Sequence, residues 1–430
     1  MGKTKQVVIG NSAAGLAAVK AIREVDRACP VTLISAEDCN AYSPVLLTYY
    51  LANQISKEDL FVVDDDFYKQ HQVNLIFGVK AINLDASAQR VLLEDSSQVE
   101  YDNLLIASGA SAIRLDGTGD KAGHVFTLRD IKDAEKIMKC GRKAKEAIIV
   151  GAGLIGLQTA DALFRKGINC TIVERANQVF PENVDRECAG IIQKTIESHG
   201  VPTFLGQKVS SIESKADRVT VTSVSGEEWV GDMVVVGVGL KPNNQLVQSS
   251  AVKVNMGILV DDFMRTSVSN VYAAGDVSEG VNLVSGGKEV IPTWSNACRQ
   301  GRIAGLNMAG RPQRYEGGLR ETITTVFGMT LASVGLCRAD GNEGVEELVL
   351  SDLERKVYRK LLLAGNRLAG AIMLSGTRDA GPIGNLIRNR VDITFWKDSF
   401  LKLPMDLRSR FLPVREKSQF AGYCLNGGIR

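Results

Sequence analysis

Two short glycine-rich turns hold the residues whose types and spacing could do chemistry. In the later one, Gly151, Ala152, Gly153, Leu154, Ile155 and Gly156 follow the apolar run 147–150. This is an intact G-x-G-x-x-G placed between a strand and a helix. Its first glycine permits the tight turn, its second lets backbone approach a pyrophosphate, and its third lets helix and strand close up. Glu174 ends the next apolar run, about twenty residues after the turn, where a carboxylate accepts from the 2′-OH of an adenosine ribose. The earlier turn, Gly10, Asn11, Ser12, Ala13, Ala14 and Gly15, has serine where the middle glycine belongs. Taken alone, it is explained equally well by an ordinary strand-to-helix turn. Glu37 follows it after a second apolar run, 31–34.

The elements that must hold these residues follow from the pattern. Residues 6–9 and 31–34 read as buried strands around a helix over 16–25, and 147–150 and 170–173 as strands around a helix over 157–166. Each set is a βαβ unit whose helix N-terminus offers free N–H groups and a positive dipole end to phosphate. Three further apolar strands end in small or acidic residues: 101–110, 232–239 (ending Gly237, Val238, Gly239) and 271–276 (ending Gly275, Asp276). Around Pro44 the chain reads as a loop entering a short helix, and 292–308 reads as a loop entering a longer one. Residues 56–67 read as an acidic surface stretch, and 80–101 as two or three short strands. From Tyr315 the texture changes to an α+β module, with strands in 323–334 and 358–373 and a helix near 379–389.

Composition excludes several classes of function. The 430 residues call for two or three domains, and 45% hydrophobic with 23% charged residues is a folded-protein profile. A net charge of +2 gives no global attraction to nucleic acid. No apolar run reaches the roughly 20 residues of a membrane span. The first strand begins almost at once, so no signal peptide is expected and a cytoplasmic location is. The eight cysteines (29, 39, 140, 170, 188, 298, 337, 424) form no C-x-x-C, and there are three histidines. No zinc or iron–sulfur site is expected, and most of the cysteines read as small buried hydrophobes.

In order, the segments 10–15, 101–110, 151–156, 237–243 and 271–276 resemble the FAD- and NAD-dependent pyridine nucleotide–disulfide oxidoreductase superfamily. The resemblance is to its rubredoxin reductase, NADH oxidase and nitrite-reductase flavin-domain branch. It implies an α/β fold of two Rossmann-like domains plus a C-terminal α+β interface domain. The FAD-binding domain would be discontinuous (1–115 and 240–314), the NAD-binding domain would span 116–239, and the interface domain 315–430. Gly10, Ser12, Ala13, Ala14 and Gly15 would meet the FAD pyrophosphate and Glu37 its ribose. Ala107, Ser108 and Gly109 would close on FAD from the side, and Gly275 and Asp276 would reach the ribityl chain. Trp294, Ser295 and Asn296 would lie along the flavin ring, with Ser43, Pro44, Arg129, Pro292 and Thr293 completing the FAD set. Gly151, Gly153, Leu154, Ile155, Gly156, Glu174, Gly237, Val238 and Gly239 would hold NAD. No metal is implied.

Three departures from the family pattern matter. The redox cysteine of many relatives falls at about Leu46 here, and Cys39 lies before the helix, so a flavin-linked thiol is not expected. The lysine and glutamate that many relatives pair beside the flavin are Tyr49 and Gln158. These two are either packing residues on two helices or flavin-flanking groups at the catalytic face. Ser12 is tolerable if its side chain points away from the phosphates. Glu174 favours NADH over NADPH because a carboxylate repels a 2′-phosphate, although Arg175 follows it. The leading expectation is an NADH:acceptor oxidoreductase that reduces a small iron–sulfur protein (rubredoxin or ferredoxin) and works as a homodimer. The stretch from Leu386 carries nine Lys/Arg against four Asp/Glu, including Arg388, Arg390, Lys397, Lys402, Arg408, Arg410, Arg415 and Lys417. It is either a steering patch for an acidic carrier or a solvated face. The alternatives are a peroxide-forming NADH oxidase and a flavoprotein subunit docked in a larger redox complex.

Overall fold

Apolar runs of four or five residues become the central strands of two parallel sheets. The computed structural model describes residues 3–115, 123–215, 218–339 and 344–394. In the first sheet the strand order is Val271–Ala273, Asn103–Ile106, Gln6–Ile9, Val31–Ile34, Val73–Ile76, all parallel. Gln6–Ile9 is buried at every position, because helices and loops cover both faces, and so the run is continuous rather than alternating. The second sheet repeats the plan: Thr203–Phe204, Asn169–Val173, Glu146–Val150, Met233–Val236, Val125–Phe126, again parallel. Each parallel sheet is accompanied by a three-stranded antiparallel one, Ala81–Asp85/Arg90–Leu93/Gln98–Glu100 and Val209–Lys215/Arg218–Ser223/Glu228–Gly231.

The chain leaves the first sheet and returns to it through a two-stranded ribbon. Ala110–Ala112 pairs antiparallel with Leu240–Pro242. Asn243 stitches the ribbon to the first sheet: its side-chain amide donates to the Ser108 carbonyl at 2.9 Å, and its own carbonyl accepts from the Ser108 hydroxyl at 2.7 Å. The helix Ala13–Val25 begins at the glycine turn, three residues before the sequence pattern places it. It crosses the helix Trp294–Met308 at very short range. A Cβ on Gly301 would stand 2.1 Å from the Ala14 carbonyl oxygen, and one on Gly305 would stand 2.5 Å from that of Ala18.

The C-terminal module is an antiparallel sheet ordered Glu321–Val326, Met329–Gly335, Arg367–Leu374, Val357–Ala364, Val345–Asp352, backed by the helix Ala380–Arg388. The expected strand region 323–334 is two strands turning at Phe327 and Gly328, both at positive φ. Residues 56–67 are not purely surface. Leu60 is fully buried, and Asp65–Gln70 is a helix that sets Phe67 and Tyr68 into the first core.

This sheet is fastened to the second parallel unit. Lys360 donates to Asp185 at 2.9 Å and to Glu347 at 2.8 Å, and the Tyr358 hydroxyl donates to Asp185. The Asn183 and Gln158 amides donate to Thr322 and Thr324. Among the described residues no helix is long and apolar enough to cross a membrane.

Candidate functional site

The two glycine turns are built on one plan at the carboxyl ends of their strands. Gly10 has φ +116°, and a Cβ there would lie 2.0 Å from the Ala107 carbonyl oxygen. Gly15 is equally constrained, since its Cβ would lie 1.9 Å from the oxygen of Gly10. In the second unit Gly151 has φ +107° and faces the Gly237 oxygen at 2.4 Å, while Gly156 faces the Gly151 oxygen at 1.9 Å. Only glycine combines that backbone with that closeness.

The middle position differs in kind. A Cβ on Gly153 meets nothing within 4 Å. Ser12 occupies the equivalent place in extended backbone, φ −147°, so the serine costs the turn little. Neither Ser12 nor Gly153 caps its helix with a side chain, which leaves the first-turn N–H groups open to an anion. By contrast, Asp130, Asp185 and Thr293 cap the helices Ile131–Gly141, Arg186–Ser198 and Trp294–Met308.

Around the first turn the structure gathers residues from six stretches of chain. Ala107, Ser108 and Gly109 end the neighbouring strand, and Gly275 (φ +80°) sits where a Cβ would be 3.3 Å from that of Ala14. Asp276 is thereby brought to the same mouth. Arg129 reaches it at 3.1 Å and also donates to the Ala110 carbonyl at 2.7 Å. Glu37 is exposed at the surface of the seat. Desolvation by the groups packed around its carboxyl pushes it up from the usual range, and a hydrogen bond from the Tyr42 hydroxyl (2.7 Å) pulls it back. Ser43 is buried, and Pro44 opens a short 3-10 turn, Pro44–Leu46, that runs into the helix Leu47–Leu51. Pro292 is exposed, Thr293 caps its helix, and Trp294 packs on the first core.

In the second unit both oxygens of Glu174 accept backbone N–H groups, from Ala152 at 2.6 Å and Ala176 at 2.7 Å. The carboxylate is therefore fixed beside the glycine turn. Arg175 is exposed. Leu154 and Ile155 open the helix Leu154–Phe164. A Cβ on Gly151 would come within 3.4 Å of the Val238 N, which puts Gly237 and Val238 against the turn, and Gly239 (φ +118°) bonds back to Ile113 in the ribbon. Tyr49 and Gln158 line one crevice with Thr48, Gln54, Asp161 and Arg165, where the short helix, the second unit and the C-terminal sheet meet.

Leu46 occupies the place expected for a redox cysteine. At Cys39, burial and the neighbouring Glu37 push the thiol up, away from the reactive thiolate. One site residue carries no motif: Gln300 accepts from the Gly275 N–H at 2.8 Å. Within the first turn, Asn11 is held by the Tyr68 hydroxyl at 3.0 Å. Only the small residues spaced by four, Ala14/Ala18 against Gly301/Gly305, could have signalled the helix crossing beforehand.

The residues fit two dinucleotides. Each seat has an uncapped helix end, a glycine crossing too close for any side chain, and a carboxylate at the end of the second strand. The chain matches the pyridine nucleotide-disulphide oxidoreductase family over residues 4–301, and the rubredoxin NAD+ reductase C-terminal domain over 322–391.

The chain belongs to the pyridine nucleotide–disulphide oxidoreductase family.

Members of this family are NAD(H)-dependent flavin oxidoreductases that use FAD and NAD(P)H. Among its relatives, the NADH-dependent phenylglyoxylate dehydrogenase subunit epsilon of Aromatoleum evansii is 31% identical, over 94% of this chain and 96% of that protein. The rubredoxin-NAD(+) reductase of Pseudomonas putida is 28% identical, over 80% and 92%. The assimilatory nitrate reductase electron transfer subunit of Bacillus subtilis is 29% identical over 94% of this chain, which spans only about half (51%) of that relative. Among solved structures, an NAD-dependent persulfide reductase from A. fulgidus superposes with a TM-score of 0.84 at 29% identity, over 92% of this chain and 78% of that one. A covalent putidaredoxin reductase–putidaredoxin complex gives 0.86 at 22% identity, over 95% and 98%, a likeness of fold.

Proposed function

We propose that the protein is a flavin-dependent NADH:acceptor oxidoreductase that delivers electrons to a small iron–sulfur protein. The observation that carries this is the pair of uncapped glycine turns, each with its own acid, in one chain. FAD in the first seat would take a hydride from NADH in the second and release electrons singly or as a pair. The chain's own residues then have positioning work to do. Gly10 and Gly15 let backbone reach the FAD pyrophosphate, Glu37 and Asp276 grip the two ends of the molecule, and Arg129 orients Asp276. Gly151 and Gly156 seat the nicotinamide dinucleotide, with Glu174 set against a 2′-phosphate. Tyr49 and Gln158 flank the place where the two rings would meet, and neither adds a charge to the crevice they share with the Asp161–Arg165 pair.

An iron–sulfur acceptor is supported by the kinds of relative the chain resembles, among them a rubredoxin-NAD(+) reductase. The basic stretch is a weaker support. Arg388 is ion-paired with Glu321 and mostly covered, Arg390 is exposed, and Lys397 through Lys417 lie outside the described residues. A second reading has its own observation: a relative matched nearly end to end is a subunit of a larger dehydrogenase, so the chain would be the NADH-oxidising subunit of a complex. In either case a homodimer through the C-terminal sheet and a cytoplasmic location are expected. The deciding experiment is to reduce the FAD-loaded protein anaerobically with NADH and offer rubredoxin, ferredoxin and O₂ in turn. Fast oxidation by an iron–sulfur protein is expected. Oxidation by O₂ alone, with peroxide formed, would make it an NADH oxidase.

A further inference from the structure

We propose that Tyr42 is a positioning residue of the first seat: its phenol holds one oxygen of Glu37 so that the other is presented to the ribose of the bound dinucleotide. This rests on the flavin reading of that seat and adds to it a residue that no glycine motif or strand-end acid reveals.

The geometry is specific. The Tyr42 hydroxyl donates to Glu37 Oε2 at 2.7 Å. The ring is buried, braced edge-on by Phe61 with centroids 6.5 Å apart, and the two residues also form an isolated backbone bridge. The helix Ile131–Gly141 begins beside the phenol, and the hydroxyl spends its proton on Glu37. Two residues before Ile131, Arg129 grips Asp276. The segment 129–132 therefore stands by both acids of the seat: Arg129 bonds Asp276, and the charges of Arg129, Asp130 and Lys132 act on Glu37. A tyrosine that served packing alone could satisfy its hydroxyl on any carbonyl. This one uses the strand-end carboxylate.

The charge environment gives the inference a measurable sign. Besides Tyr42, Glu37 faces Asp130, which raises its carboxyl further, Arg129 and Lys132, which lower it, and the nearby Cys39 thiol. Although the residue is exposed overall, desolvation of its carboxyl by the neighbouring groups is the largest influence and opposes ionisation, while the Tyr42 bond favours it. Only the ionised carboxylate keeps a full acceptor for a ribose hydroxyl, so FAD retention falls as pH drops through the titration of Glu37. Removing the phenol leaves that desolvation less opposed. Glu37 then protonates at higher pH, and the acid limb of FAD retention moves upward.

The test titrates FAD into apoprotein, followed by flavin fluorescence, from pH 8 to pH 4.5, with the wild type, Tyr42→Phe, Glu37→Gln and the double variant. Tyr42→Phe is expected to weaken FAD binding roughly tenfold at neutral pH and to move the acid limb up by about half to one pH unit. Glu37→Gln is expected to lack that limb, and adding Tyr42→Phe to it should produce no limb and no shift. Phe61→Leu disturbs the same packing but keeps the hydroxyl, and should leave the limb where the wild type has it. A uniform loss of affinity in Tyr42→Phe with an unmoved limb, or the same shift in Phe61→Leu, would overturn the positioning role. A wild type that binds no FAD would instead overturn the flavin reading, and the inference with it.

Discussion

At the scale of single residues, the glycines and the serine of the two turns are not equivalent, and the difference is measurable. Gly10→Ala puts a Cβ 2.0 Å from a backbone oxygen at φ +116°. Strain and overpacking together should cost roughly 3 kcal/mol of stability, seen as a lower urea midpoint and a lost flavin. Gly153→Ser, which copies Ser12 into open space, should stay within about 0.5 kcal/mol of the parent. If the two variants unfold alike, the reading of both turns fails. Glu174 is fixed by two backbone N–H groups, so Glu174→Ala should cut the kcat/KM preference for NADH over NADPH by about tenfold or more. An unchanged ratio would place discrimination elsewhere. These positions were readable in the sequence because their constraints are local, a turn within six residues and an acid at the next strand end. Gln300 and Tyr42 were not, and neither was the partner of Asn243, although Asn243 ends the segment 237–243. Asn243 meets Ser108 across 135 residues of chain, and nothing in a local pattern shows which partner an amide or a phenol will find only after folding.

At the scale of elements, the crossing of Ala13–Val25 with Trp294–Met308 transmits the shape of the first turn to the rest of the unit. Gly301→Ala would drive a methyl to within 2.1 Å of the Ala14 carbonyl. The helices must then separate, at a cost of about 1–3 kcal/mol, and Ala14 lies in the turn itself. The variant should lose stability and bound flavin together, and normal flavin content with a lowered melting temperature would uncouple them. Most strands were legible because buried parallel strands are uninterrupted apolar runs. The hairpin at Phe327 and Gly328 was obscured by its apolar flanks Val326 and Met329, since polar residues usually announce a turn. The edge strand Val345–Asp352 was missed because Glu346 and Glu347 interrupt its alternation.

At the scale of the whole molecule, Asp185 of the second parallel unit is tied to Tyr358 and Lys360 of the C-terminal sheet through side chains with little solvent contact, and Lys360 also pairs with the more exposed Glu347 of the same sheet. Lys360→Met should cost about 3 kcal/mol, because it leaves carboxylates near the interior without their cation. A denaturation midpoint matching the parent would show the tie to be dispensable. The two-sheet plan and the order of its parts were visible in the sequence, but these ties were not, because the bonds to Asp185 join residues 173 and 175 positions apart whose types are unremarkable on their own. The position of Val271–Ala273 in the first sheet also has a consequence for biosynthesis. It covers the Asn103–Ile106 edge, whose Leu104, Leu105 and Ile106 end up fully buried, yet it emerges from the ribosome long after them. Leu104 and its partner Val271 are 167 residues apart. At ribosomal speed that is an interval on the order of 10–30 s, during which the second sheet is completed while the first still has a bare apolar edge. The flavin can be gripped from both ends only once that interval is over. A shortage of flavin would therefore act on nearly finished chains, and a slowed ribosome between residues 110 and 270 would prolong the period in which the edge is open to aggregation.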